Sequence, residues 1–212
     1  MMNFQSPIMK ALLLSCMVFL LLGWRGDKTI QITPVQPVVP ESPLSTTSSA
    51  KIKVYNFFDA RQGMLDPYLI GKRTAAFKVP LGDVYSERPV VEIVTEAVKS
   101  EFTHKGYKLV QENEDFSVKG KIVQFWANTP VKMMGAAWDV VGEITLTAEI
   151  SRPGQRVVTT LGPYSGRKVE RTPINPSRQM IKRVLTGALM DTVHQMSSDP
   201  QLISALSKRQ KN

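Results

Sequence analysis

The residues able to do chemistry are few and scattered. The chain has two histidines, His104 and His194, and one cysteine, Cys16. Each histidine falls on the polar side or near the end of a predicted helix. Neither has the Ser or Cys partner and carboxylate of a nucleophilic triad beside it, so both read as solvated helix residues. One Cys and two His cannot build a zinc site from those ligands alone, and one Cys cannot form an internal disulfide framework. Asp59, Asp66, Asp83 and Glu87 lie near the first predicted strand of the body. They could pair as a general acid and base, the arrangement a cell-wall hydrolase would use. Lone acids there are more often turn residues. The chain contains no phosphate-cradling glycine loop, no dinucleotide fingerprint and no H-E-x-x-H pair. The inventory favours a protein that is not an enzyme and implies no cofactor or metal.

The cations are more plentiful. Lys and Arg number 27 against 18 Asp and Glu, a formal net charge of +9 over 212 residues. Lys72-Arg73 and Arg167-Lys168 are the best candidates for an anionic-ligand patch, with Arg171, Arg178 and Lys182-Arg183 adding to the excess. Such a surface suits anionic lipid headgroups or anionic glycans. The export signal described next makes nucleic acid the weakest of the anionic partners, and no nucleic-acid partner is expected.

Residues 1–24 are a targeting segment. Lys10 is followed by an apolar run from Ala11 to Trp24 that ends sharply at Arg25, Gly26, Asp27 and Lys28. A charged opening and an apolar run of about 7–15 residues are the secretory pattern. The run is shorter than the roughly 20 residues of a comfortable membrane span. It reads as a signal peptide or a membrane anchor, with Cys16 as the candidate lipidation site. Residues 25–50 read as a linker. Pro34, Pro37, Pro40 and Pro43 recur every three residues and Ser/Thr follow, which excludes a helix or a central strand. As a disordered tether of polyproline type, residues 29–50 would reach at most roughly 70 Å at about 3.1 Å per residue.

The body, residues 51–206, is expected to be one α+β domain, with a basic tail at 207–212. Residues 51–58 read as a strand with Ile52, Val54 and Phe58 on one face. Residues 64–89 read as irregular, apart from a short strand near 74–79. Val90, Val94, Ala97, Val98 and Phe102 make the apolar stripe of a helix over 90–105, ended by Gly106. Glu101 is assigned to its polar side. Residues 107–110, 116–127, 138–150 and 156–171 follow as strands, the third with clean alternation from Trp138 to Ile150. Gly162-Pro163 predicts a bulge or an edge position. Asn175-Pro176 signals the start of a helix carrying Ile181, Val184, Leu185, Ala188, Val193 and Met196. Asp199-Pro200 signals a short last helix. The expected fold is a mostly antiparallel sheet with two helices packed on one face.

The segment from Gln179 resembles the carboxy-terminal helix of the YajG family of bacterial envelope lipoproteins. The matching residues are Asp191, Thr192, Val193, Met196, Ser197 and Asp199. The apolar run followed by Thr29 to Pro34 is similar to the family's segment after its lipidated Cys, and Lys105-Gly106-Tyr107 also fits. The family's acceptor Cys falls where this chain has Trp24, which cannot carry a thioether. The resemblance implies a cell-envelope location on the periplasmic side, at the outer membrane if lipidated, and no established reaction. The element order is also similar to the amino-terminal domain of the TolB protein. Three functions follow as expectations: a tethered interaction module for an envelope partner, a binding module for anionic lipid or glycan, and the hydrolase.

Overall fold

Three long strands organise the computed structural model, which describes residues 28–30, 50–74, 79–132, 137–155 and 158–207. The targeting segment, Cys16, most of the linker and the last five residues lie outside the described residues. In chain order the strands are β1 (Lys28–Ile30), β2 (Lys51–Val54), β3 (Phe58–Asp59), β4 (Leu69–Thr74), β5 (Pro80–Ser86), β6 (Lys108–Leu109), β7 (Phe116–Thr129), β8 (Val131–Lys132), β9 (Ala137–Ser151) and β10 (Val158–Thr172). The helices are α1 (Val90–His104), α2 (Arg178–Ser197) and α3 (Pro200–Ser207).

β9 sits between β7 and β10 and pairs with both antiparallel along nearly its whole length. The other edge of β7 takes three short strands in succession: β2, then β3, then β4, all parallel to it. β6 adds to β2 in parallel, β5 adds to β4 antiparallel, and β1 adds to β5 in parallel. The sheet is therefore mixed, not purely antiparallel: its long ladders are antiparallel, and the short strands β1, β2, β3, β4 and β6 add parallel pairs. The reason is local. Residues 64–89, expected to be irregular, supply the β4–β5 hairpin, and the helix returning the chain to β6 and β7 makes parallel neighbours possible.

Alternation decides which face is buried. On β9 the even residues Trp138, Val140, Ile144, Leu146, Ala148 and Ile150 are all buried. On β7 the pattern switches partway. Val118 and Ile122 are buried before a bulge at Val123, and Phe125 and Ala127 after it. One extra residue in a strand flips the parity of everything that follows. A similar slip separates β2 from β3. Phe57 is buried and Phe58 is exposed, the reverse of the expected assignment.

α2 lies against β9 and β10. It comes so close at Gly142 that a Cβ there would stand 2.9 Å from the Val184 backbone. Gly166 faces Ala188 in the same way, so a side chain at either position would push the helix off. α1 reaches the same side of the sheet. Phe57 covers Gly120 and donates its backbone N–H to Thr95 Oγ1 at 3.1 Å. α2 starts two residues later than Asn175-Pro176 suggests. Its cap is Ser177, whose Oγ accepts from the Met180 N–H at 3.2 Å. The α3 cap is the expected Asp199, which accepts from the Gln201 N–H at 2.7 Å.

Candidate functional site

The four basic patch residues do not form one surface. Lys72 and Arg73 are neighbours on β4 and point to opposite faces. Lys72 is exposed, while Arg73 is 2% exposed and donates to the Leu81 carbonyl at 3.2 Å. Arg167 and Lys168 are split in the same way on β10. Arg167 pairs across the open face with Glu143 at 3.1 Å, and Lys168 reaches Asp191 on α2 at 2.8 Å. Successive residues of a strand face opposite ways, so a pair of adjacent cations cannot act together. Other cations are paired too: Arg171 with Asp139 at 3.0 Å and Arg183 with Glu170 at 2.8 Å. The Arg183 hydrogen bond holds the Glu170 carboxyl below its usual range, outweighing a small effect of burial.

The carboxylates near the first strand are engaged in structure. Asp59 receives two arms of Arg61, Nη2 at 2.7 Å and Nε at 2.9 Å, and Arg61 also donates to the Leu69 carbonyl. Burial pushes the Asp59 carboxyl up, but the hydrogen bonds and charge of Arg61 more than offset it, and the net direction is down. Asp66 accepts from the Tyr68 N–H at 2.8 Å, the usual task of a turn aspartate. Asp83 lies on β5 opposite Lys72, and Glu87 is exposed beyond the end of that strand. Nothing brings these four together as an acid–base pair.

Two clusters were not anticipated. The first ties α1 to α2. Glu101, assigned to the polar side of its helix, is 2% exposed. Its Oε1 accepts from Ser197 Oγ at 2.9 Å and lies 3.2 Å from His194 Nδ1. The carboxylate, not the histidine, is the central group, so this is not a nucleophilic relay. The signal was present: positions 94, 97, 98, 101 and 102 follow helical spacing, and Glu101 falls inside the stripe. The second cluster ties β10 to α3. Tyr164 donates its hydroxyl to Asp199 Oδ2 at 2.6 Å. Nothing in the sequence pairs these two residues across their separation.

An open groove of about 360 Å³ lies beside this second cluster, lined by Thr159, Pro200, Gln201, Ser204 and Ala205. It contains hydroxyl and amide groups and no titratable side chain. Among the described residues no three His, Cys, Asp or Glu are grouped to hold a metal ion, and no helix is long and apolar enough to cross a membrane.

Residues 74–207 match the model of a family of uncharacterized lipoproteins, the YajG-like family. The chain belongs to this family. Membership carries with it the description of an envelope lipoprotein of unknown function. Among solved structures, the chain is similar to protein XCC0632 from Xanthomonas campestris, at 12% identity over 84% of this chain and 96% of that one, with a TM-score of 0.52. That likeness shows the fold alone. A minor lipoprotein from Acinetobacter baumannii matches at 14% identity over 74% of this chain and 94% of its own, with a TM-score of 0.40. Lipoprotein GNA1162 from Neisseria meningitidis matches at 9% identity over 71% and 99%, with a TM-score of 0.33. No curated protein matches the chain.

Proposed function

We propose that this lipoprotein-family member is a non-enzymatic accessory module, held at the periplasmic side of the envelope by residues 1–24, that docks a protein partner along the edge of β10. The observation that carries the docking is the strand itself. β10 runs 15 residues, pairs with β9 on one side, and has no described strand on the other. A strand edge offers a row of backbone donors and acceptors that a partner strand can complete. The exposed Val158 and Val169 add apolar contact along it. Arg167, Lys168, Arg171 and the bulge at Gly162-Pro163 are the features that guard such an edge against indiscriminate pairing. They leave a partner chosen by charge and register.

The test is site-specific photo-crosslinking of the full chain in intact cells. A crosslinking residue at Val169 is expected to give a discrete protein adduct, and one at Thr147 on the open face is not. Placing proline at Val169 should abolish an adduct formed from Val158. Equal adducts from edge and open face would overturn the docking reading. A chain found in the cytosol with its amino terminus intact would overturn the envelope reading as well.

A further inference from the structure

The linker does not behave as one long leash. Lys28–Ile30, inside its expected span, form β1 beside Val84–Ser86 of β5. Ile30 is 3% exposed within the hydrophobic core, and its carbonyl accepts from the Glu87 N–H at 3.2 Å. Only residues 25–27 separate Trp24, where the apolar run ends, from the first strand of the body. Three residues span at most roughly 10 Å. The proline-rich stretch lies after this attachment point, so it connects β1 to β2 and does not distance the body from the anchor.

The direction of β1 says which end of the body is held close. β1 is parallel to β5, so the chain enters from the side of Asp83, Gly82 and Pro80. Register carries that end across the sheet: Pro80 opposes Thr74, Arg73 opposes Thr129, and Trp138 opposes Thr172. The exposed cations Lys72, Arg171 and Arg178 and the half-buried Lys182 lie at this end, the last two in the first turns of α2. Two large apolar side chains are also exposed here, Val79 and Ile174, the latter at 72%. The opposite end, where β7 begins, has the acidic run Glu112, Glu114 and Asp115, with the exposed Lys51 and Lys108 beside it.

We infer that the end of the sheet bearing Lys72, Ile174, Arg178 and Lys182 rests on the membrane that holds residues 1–24, against its anionic headgroups, with the Glu112–Asp115 end pointing away. The inference rests on the anchored reading above. The physics is that of interfacial proteins: an exposed apolar side chain enters the headgroup region while cations bind its phosphates. Each Lys or Arg at an anionic surface raises occupancy roughly fivefold, so three charge reversals are enough to release the face. The short connection confines the body within about a Debye length of the headgroups, where this attraction is felt.

The experiment uses the full chain in vesicles of phosphatidylethanolamine and phosphatidylglycerol containing a headgroup spin label, with a fluorescent amino acid at position 174 or 112. Flotation is measured alongside. Quenching is expected to be several-fold stronger at 174 than at 112. The difference should collapse in the Lys72→Glu, Arg178→Glu, Lys182→Glu variant and in phosphatidylcholine vesicles. A chain that floats with equal quenching at both positions overturns this inference and leaves the anchored reading standing. A chain that does not float overturns both.

Discussion

On the helix-covered face of β9 every second residue from Trp138 to Ile150 is packed out of water, while on its other face Asp139, Val141, Glu143, Thr145, Thr147 and Glu149 are half-exposed. The first face is held by apolar area and close approach, with Gly142 and Gly166 admitting the α2 backbone. The second is held by cross-strand polar pairs: Lys121 with Glu149, Arg167 and Gln124 with Glu143, Arg171 with Asp139. Apolar burial is worth about 25 cal/mol per Å² and survives salt, whereas exposed pairs contribute under about 1 kcal/mol and are screened. The helix side should thus carry the stability and the open side should set solubility and charge.

The largest effect expected is on the covered face. Phe125 is fully buried in the core, just past the β7 bulge. Phe125→Ala should cost about 4 kcal/mol, read as a fall in the urea midpoint at constant slope. Val141→Ala, on the open face of the neighbouring strand, should cost less than about 1 kcal/mol. Similar losses at the two positions would mean that something packs on the open face and would end the distinction.

How far such assignments could be read in advance depended on the parity of each strand. The β9 faces, the α1 stripe, the α2 stripe and the Asp199 start of α3 all follow from periodicity, because each runs without interruption. The β7 faces past Val123 and the place of Phe57 were not legible, since a bulge and a break shift the parity and leave no local mark. Charge was the least legible layer. Arg73 and Lys168 look like free cations in the chain. One is buried by the strand alternation that exposes Lys72, and the other meets Asp191 only because α2 folds back over β10. Glu101 looks like a surface acid and is buried because α2 brings Ser197 and His194 to it.

Ion pairs sharpen the contrast next. The Arg61 side chain is 3% exposed, and Asp59 is its carboxylate partner. Asp59→Asn leaves that guanidinium with reduced compensation and should cost about 2 kcal/mol. The pH dependence has a definite sign. The folded Asp59 carboxyl titrates below its unfolded value of about 3.9, so its contribution is complete above that pH and is lost as pH falls through the folded value. The stability difference between wild type and Asp59→Asn should therefore shrink in acid below about pH 4. A gap that stays constant down to pH 2 would show that the charge of Asp59 is not what matters.

Tyr164 probes the covered side with a polar contact. Burial, then the hydrogen bond and charge of Asp199, push its hydroxyl well above the ordinary phenol value. Tyr164→Phe should cost about 1.5 kcal/mol, since a hydrogen bond to a charged group is lost while Asp199 keeps its cap on α3. A raised value means that the stabilisation is complete below the unfolded value of about 10 and declines as pH climbs beyond it. Melts of wild type and variant should converge in strong base. Parallel curves would assign the cost to packing.

The smallest effect belongs to the open face. Arg167 and Glu143 are both largely in water, at 61% and 42% side-chain exposure. Removing the guanidinium does not strand the carboxylate, because Gln124 Nε2 still donates to Glu143 at 2.9 Å. Arg167→Ala should therefore change stability by less than about 0.5 kcal/mol, and that difference should vanish in high salt. The same variant tests whether the cross-strand pairs act singly or as a lattice. If Arg167→Ala and Arg171→Ala each cost little and the double variant costs far more than their sum, the pairs are coupled. The open face would then be a stabilising layer in its own right, and the division between a face for stability and a face for charge would fail.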